Sequence, residues 1–169
     1  THRSVQLLEE IGSWGRIPSE EVSPITRACV RNGPSADLLS LGPDRTGRSA
    51  LGFLVGNSVI RASLYARAAA QPGIELKTAM RVRDLELLPT HGRVTLDSGE
   101  VLDASVVVAA DSRFSEMRRK AGIGAEMRDF GRVCIVGRMR HAEPHDGTAY
   151  EWFDTDQTLA VLPLNGRLS

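Results

Sequence analysis

The chain has 169 residues and carries 21 Lys+Arg against 21 Asp+Glu, a formal net charge of zero. Hydrophobic residues make up 41% and charged residues 25%, which excludes a disordered chain and suits a globular protein with a core of its own. The even charge balance removes the basic surplus of a nucleic-acid binder, so no nucleic-acid partner is expected. No apolar run nears the ~20 residues of a membrane helix, and the first residues do not read as a secretory leader.

In chain order, Val5, Leu7, Leu8 and Ile11 give residues 3–11 a helical period that Gly12 stops. Residues 14–24 read as a turn-rich connector, 25–30 as a strand, and 36–41 as a strand pairing back on it. Residues 42–49 (GPDRTGRS) read as an exposed loop. Asn57 opens the clearest helix, with Ile60, Leu64 and Ala68 four apart, and Pro72-Gly73 ends it. Short strands follow at 74–77, 80–87, 93–96 and 101–109, with Asp97-Ser98-Gly99-Glu100 turning between the last two. The run VVVAA at 106–110 suits a strand buried on both faces. Residues 113–121 read as a helix, and 130–140, 148–153 and 158–164 as strands in antiparallel arrangement.

Asn165-Gly166 is a hairpin signal of the type I′ turn, yet only Arg167, Leu168 and Ser169 remain for a returning strand. The expectation is an internal piece of a longer protein, against the alternative of a short natural edge strand. Cys29 and Cys134 form no CxxC pair and are expected to be reduced core thiols, with a disulfide between them as the alternative. His141 and His145 have helical ligand spacing, but Pro144 and Gly147 argue for a loop, so no metal is expected. His2 and His91 read as surface residues, and no nucleophile–base arrangement points to a catalytic residue.

The most informative stretch is 106–119, VVVAADSRFSEMRR. A buried strand would run into Asp111-Ser112 and then a helix. In open α/β sheets ligands bind at that crevice, and the free N–H groups of a helix start suit phosphate. Asp and Ser are also preferred helix N-caps, so the pair read alone is more often a cap than a ligand contact.

Ala110-Asp111-Ser112-Arg113-Phe114-Ser115-Glu116-Met117-Arg118 resembles the A-D-G-x-x-S-x-x-R fingerprint of the class A flavoprotein monooxygenases, with Ser112 in place of Gly. Residues 54–64 (LVGNSVIRASL) are similar to that family's V-x-N-x-x-L-R-x-x-L segment. Arg81-Val82, Asp97-Ser98-Gly99, Glu143-Pro144-His145 and the phrase LAVLPL at 159–164 match further pieces in the family's order. So does LLEEIGSW at 7–14. The likeness is strongest to the ubiquinone-biosynthesis hydroxylases. Neither the family's N-terminal G-x-G-x-x-G nor its G-D-A-A-H segment occurs in these residues.

The resemblance implies an α+β fragment of a two-domain, p-hydroxybenzoate-hydroxylase-like FAD-binding fold. A mixed sheet with flanking helices is joined by an antiparallel substrate-domain sheet. Residues 1–50 would carry a helix and substrate-domain strands, 51–125 part of the FAD/NAD(P)-binding domain, and 126–169 the substrate-domain sheet. The implied activity is FAD-dependent hydroxylation of a polyprenylated phenol with NAD(P)H and O2, by the full-length protein rather than by this piece. The implied cofactor-binding residues are Asp111, Ser115, Arg118, Asn57, Arg61 and Val82. Trp152 and Tyr150 are the substrate candidates; at strand spacing they share a face that Phe153 does not. A cytoplasmic protein is expected, peripheral to a membrane or in a biosynthetic complex, with a homo-oligomer as a further expectation. The competing readings are a non-catalytic binding or assembly module and a related prenyl-reducing flavoenzyme.

Overall fold

The computed structural model describes residues 1–34, 38–43 and 47–169. Its contacts divide into two compact units, residues 1–74 with 135–169, and residues 75–134.

The first unit opens with α1 (His2–Glu10), whose N-cap Thr1 accepts the Ser4 N–H on its side chain. Two 3-10 turns, Trp14–Arg16 and Ser19–Glu21, lead to β1 (Val22–Ile25) and, after Thr26 alone, β2 (Arg27–Asn32). β3 (Leu38–Leu41) returns antiparallel to β2, as the sequence suggests; Ala36 of that expected strand lies outside the described residues. β4 (Gly52–Val55) pairs antiparallel with β1 and feeds α2 (Asn57–Ala69). The last strands of this unit are β8 (Thr148–Phe153) and β9 (Thr158–Val161). The order β3-β2-β8-β9 makes a four-stranded sheet, and the β2–β8 pairing is parallel, so the sheet is mixed where the sequence suggests antiparallel strands.

The second unit holds β5 (Val82–Leu87), β6 (Gly92–Leu96) and β7 (Val101–Ala104) in one antiparallel sheet, and the short helix α3 (Glu116–Lys120). Gly92 lies against Val107: a Cβ there would meet Val107 Cγ2 at 2.7 Å.

Four sequence expectations need correction. Residues 74–77 are not a strand. The strand ending at the Asp111 turn stops at Ala104; residues 106–110 are unpaired and Val106 and Val108 are 75% and 82% exposed. Residues 130–138 likewise belong to no strand, with Val133 and Ile135 at least 90% exposed; Met139 exchanges backbone hydrogen bonds with Ser169, and Arg140 bridges to Leu168. β-Branched side chains favour the extended backbone, but a ladder needs a second strand, and none of the described strands supplies it. The expected helix at 113–121 shortens to α3 because Asp111 and Ser112 hold the preceding residues in turns.

Three smaller expectations also change. Asn165-Gly166 is not a type I′ hairpin: Gly166 has φ 73°, Asn165 is not among the positive-φ residues, and Leu168 pairs with Arg140 rather than back on β9. Pro163 carries no N–H, which ends the β9 ladder, and the Asn165 side chain instead accepts from Ser23 Oγ and donates to the Glu20 carbonyl. On α2 the buried residue is Ser63 rather than the Ile60–Leu64–Ala68 stripe; its hydroxyl donates to the Ser13 carbonyl at 2.6 Å. Cys29 is buried, but Cys134 is exposed and not a core thiol; both are free.

Gly147 precedes β8 with φ 68°, and a Cβ there would lie 2.6 Å from Thr26 Oγ1 and 3.3 Å from the Pro24 carbonyl. Gly33 has a similar φ of 56° with open space around it. Gly33→Ala should therefore cost about 1–2 kcal/mol, the left-handed penalty alone. Gly147→Ala should cost about 2–4 kcal/mol, because overpacking adds to that penalty. Thermal melts of the two variants check the difference; equal losses would remove the Thr26 contact as its cause.

Candidate functional site

The sequence-derived site residues fall in two places, one in each unit. Asn57 and Arg61 stand one turn apart on α2 of the first unit. Val82, Asp111, Ser115 and Arg118 belong to the second.

At the start of α2, Gly56 occupies the N-cap position and provides no side-chain acceptor. Asn57 is therefore the first helical residue rather than the cap. The first N–H groups of a helix have no intrahelical acceptor, so those of Asn57 and Ser58 point outward. Val59 and Ile60 both donate to the Gly56 carbonyl. The first turn holds no acidic residue. Arg138 reaches this end: its Nη2 lies 3.2 Å from where a Gly56 Cβ would stand. Amide donors, the positive end of the helix dipole and the Arg138 guanidinium make the place suited to an anionic group.

The Asp111 turn is built differently. Asp111 Oδ2 accepts the N–H of Glu116 at 2.9 Å and of Met117 at 3.4 Å, and Ser115 Oγ accepts the N–H of Arg118 at 2.9 Å. Ser112 Oγ accepts from Phe114 N–H. The first three amides of α3 are thus taken by the chain's own side chains. The expectation that this helix start offers free N–H groups to a phosphate is corrected. Asp111 is exposed at the turn into the helix and follows an unpaired segment rather than a strand. The Ser115 hydroxyl and then the backbone amides hold the Asp111 carboxyl below the usual aspartate range. Arg118 Nε is buried without a hydrogen-bond partner, a donor still seeking an acceptor. Val82 starts β5 beside Arg81, whose Nη2 bonds Glu116 Oε2 at 3.0 Å and ties that strand to α3.

In the four-stranded sheet the register sets Tyr150 opposite Cys29 and Val161, and Trp152 opposite Arg31 and Leu159. Tyr150 and Trp152 share a face, with Phe153 on the other. The Arg31 guanidinium stacks 4.7 Å over the Trp152 ring. Leu38, Leu159 and Trp152 leave this face apolar and exposed. The His141 and His145 rings lie 5.5 Å apart in edge contact, and their nitrogens are engaged by Glu143 and Leu164 carbonyls, the Ser169 hydroxyl and the Gly147 N–H. Among the described residues no group of three or more His, Cys, Asp or Glu is placed to hold a metal ion. Among the described residues no helix is long and apolar enough to cross a membrane.

Two features escaped the sequence. Arg138 meets Gly56 across a long stretch of chain, and no local pattern signals it. A cleft of about 620 Å³ in the first unit, walled by Trp14, Phe53, Val5 and Val22, joins residues of α1, β1 and β4. Only Trp14 of these stood in a recognisable phrase.

No family model matches the chain. Over its whole length it is 34% identical to ubiquinone hydroxylase UbiM of Neisseria meningitidis serogroup C, and over 97% of its length 30% identical to ubiquinone hydroxylase UbiL of Rhodospirillum rubrum. A 3-demethoxyubiquinol 3-hydroxylase of Escherichia coli is 26% identical over 95% of the chain. The chain spans 38% of the length of each of the first two relatives. Among solved structures, PqsL of Pseudomonas aeruginosa in complex with 2-aminobenzoylacetate matches 97% of the chain with a TM-score of 0.75 at 17% identity, and covers 46% of that chain. HpxO of Klebsiella pneumoniae complexed with FAD and uric acid matches 97% with a TM-score of 0.70 at 17% identity, and covers 43% of that chain. The fold is the α+β fold of the class A flavoprotein monooxygenases, and the resemblance to the ubiquinone-biosynthesis hydroxylases holds from one end of the chain to the other.

The depressed Asp111 carboxyl gives a pH prediction. Its capping is complete above the ordinary aspartate pKa and is lost as pH falls through the lower folded value. Relative to an unprotected amide at the same pH, Glu116 and Met117 should therefore keep their exchange protection at neutral pH and lose it only below about pH 4. Asp111→Ala should remove that protection at every pH; unchanged protection would remove the cap.

Proposed function

We propose, for a chain whose whole length aligns with ubiquinone hydroxylases, that the protein is an FAD-dependent monooxygenase. It hydroxylates the aromatic ring of a polyprenylated phenol in ubiquinone biosynthesis, with NAD(P)H and O2 as co-substrates. The activity is proposed for the protein at the length of its relatives, since these residues correspond to 38% of it. The observation that carries the reading is the end-to-end match at 34% identity. It takes in both the Asn57 segment and the Asp111 turn.

The residues present fit the cofactor at specific points. The open start of α2, with Asn57, Arg61 and Arg138, would hold oxygens of an anionic dinucleotide. In the second unit, taken by itself, the unpartnered Arg118 Nε is a donor. FAD, when bound, supplies the redox and oxygen chemistry that protein side chains lack. The chain's own part is placement. Asp111, fixed by two backbone amides, presents a carboxylate whose orientation is set before any ligand arrives, and Ser115 completes that turn. Val82 gives apolar contact beside it. The Tyr150–Trp152 face of the sheet covers apolar parts of the substrate and keeps water away from them. The protein is proposed to be cytoplasmic and to meet its lipid-soluble substrate at a membrane surface, with self-association or a biosynthetic complex as the setting.

A second reading, a non-catalytic binding or assembly module with the same sheets, draws on the sealed amides of α3. The two separate by experiment. Expressed at the length of its relatives, the protein should purify yellow and oxidise NAD(P)H faster when a polyprenylphenol is added; a colourless protein favours the module. Arg138→Ala should weaken FAD binding about tenfold, the size of one charge-assisted contact. Asp111→Ala should slow flavin reduction by NAD(P)H in stopped-flow while the protein stays folded. An unchanged reduction rate would leave Asp111 as a helix cap alone.

A further inference from the structure

We propose that Lys120 is a positioning residue for Asp111: it docks α3 on a bulge of β5, so that the Asp111 carboxylate and Val82 are presented to the dinucleotide as one piece. The docking stands on the geometry of the second unit. Its consequence for flavin reduction rests on the function proposed above.

α3 cannot fix Asp111 by itself. Five residues are too few for a helix that is stable alone in water, so its order comes from its contacts. Asp111 is anchored on that helix, its Oδ2 taking the Glu116 and Met117 amides. Whatever holds α3 against the sheet therefore holds the carboxylate.

Two tethers do so, one at each end of the helix. Glu116, its first residue, bonds Arg81 at the start of β5, Oε2 to Nη2 at 3.0 Å. Lys120, its last, donates from Nζ to the Arg83 carbonyl at 2.7 Å. The spacings agree: residues 81 and 83 stand about 6.6 Å apart along an extended chain, and 116 and 120 about 6 Å apart along a helix. α3 thus lies along the start of β5. Of the two tethers Lys120 is the stronger, since the Arg81 side chain is 76% exposed and that of Lys120 only 28%.

The Arg83 carbonyl is offered by an irregularity of the strand. Val82 pairs with Leu96 and Asp84 with the adjoining Thr95, which leaves Arg83 as an extra residue outside the register. Two carboxylates steady the ammonium there, Asp84 Oδ1 at 3.7 Å and Glu116 Oε1 at 3.8 Å. A lone surface ion pair holds little, but one charged donor that serves a carbonyl and two carboxylates forms a network. The ammonium also stands at the C-terminal end of α3, where the helix dipole favours positive charge.

The test has one reading without flavin and one with it. In the 169-residue chain, Lys120→Met keeps the apolar stem and should lower the exchange protection of the Glu116 and Met117 amides about tenfold at neutral pH, the size of one charge-assisted hydrogen bond. In the FAD-loaded protein at the length of its relatives, the same change should lower the limiting rate of flavin reduction per bound flavin about tenfold and leave the Kd for NAD(P)H within about twofold. Lys120→Arg, which keeps the charge and a donor, should restore both readings to within about threefold of the unsubstituted protein. Asp84→Lys, which repels the ammonium, should lower protection about threefold, and it carries the test if Lys120→Met fails to fold. Unchanged protection in Lys120→Met overturns the docking. A weaker Kd with an unchanged limiting rate, or a rate that falls only with the amount of bound flavin, makes Lys120 a stabilising contact and overturns the positioning role. So does a loss as large in Lys120→Arg as in Lys120→Met. If Asp111→Ala leaves reduction unchanged while Lys120→Met loses protection, the flavin role of Asp111 fails and the docking stands.

Discussion

The parallel pairing of β2 with β8 is the constraint on which the first unit depends. Six residue pairs, from Arg27↔Thr148 to Asn32↔Phe153, bring together strands that are remote in sequence. Parallel neighbours cannot be joined by a tight turn; they need a crossover. Here the crossover runs from Asn32 to Thr148 and carries β3, β4, α2 and the entire second unit within it. The pairing starts at a tight spot. Thr26 donates its N–H to the Gly147 carbonyl at 2.9 Å, and Gly147 leaves no room for a side chain against Thr26. Closing so long a loop has an entropic cost that no local contact offsets early, so this pairing is expected to form late in folding.

Within that frame, the two helix starts show how the same elementary requirement is met in opposite ways. Every helix leaves its first amides without internal acceptors. At α3 the chain fills them itself, with Asp111 on two and Ser115 on the third. At α2 it places a glycine at the cap and brings the Arg138 guanidinium near. The first arrangement orders a carboxylate; the second keeps donors open for an anion. An exchange of these roles would leave the acidic motif residue disordered and the basic end closed. The likeness to ubiquinone hydroxylases spans both helix starts, which is why the cofactor reading assigns them different tasks.

The apolar segments at 106–110 and 130–138 mark the boundary between propensity and structure. Val106, Val108, Val133 and Ile135 have the branching that suits a strand. Yet their side chains are exposed, because no described strand pairs with them. By contrast β5, β6 and β7 are no more apolar, but each is joined to its neighbour by only four residues of chain. That proximity, not composition, is what makes them a sheet.

The sequence alone determined the elements whose causes are local. The helix from Asn57, β8, the turn at Asp97-Ser98-Gly99 and the cap chemistry of Asp111 and Ser115 follow from side-chain periodicity, glycine and short polar side chains. The ordered motifs also pointed to the flavoprotein monooxygenase fold. Tertiary structure decided what depends on remote partners. It set the parallel register of β2 and β8, the approach of Arg138 to Gly56, the stapling of Asn165 to Ser23 and the gathering of Trp14, Phe53 and His2 into one cleft. It also decided which amides stay open, since a cap residue and a free helix end look alike until the acceptors around them are in place. Local backbone preference extends over a few residues. Hydrogen-bond partners and cavity walls come from wherever the folded chain brings them, and no short window of sequence contains them.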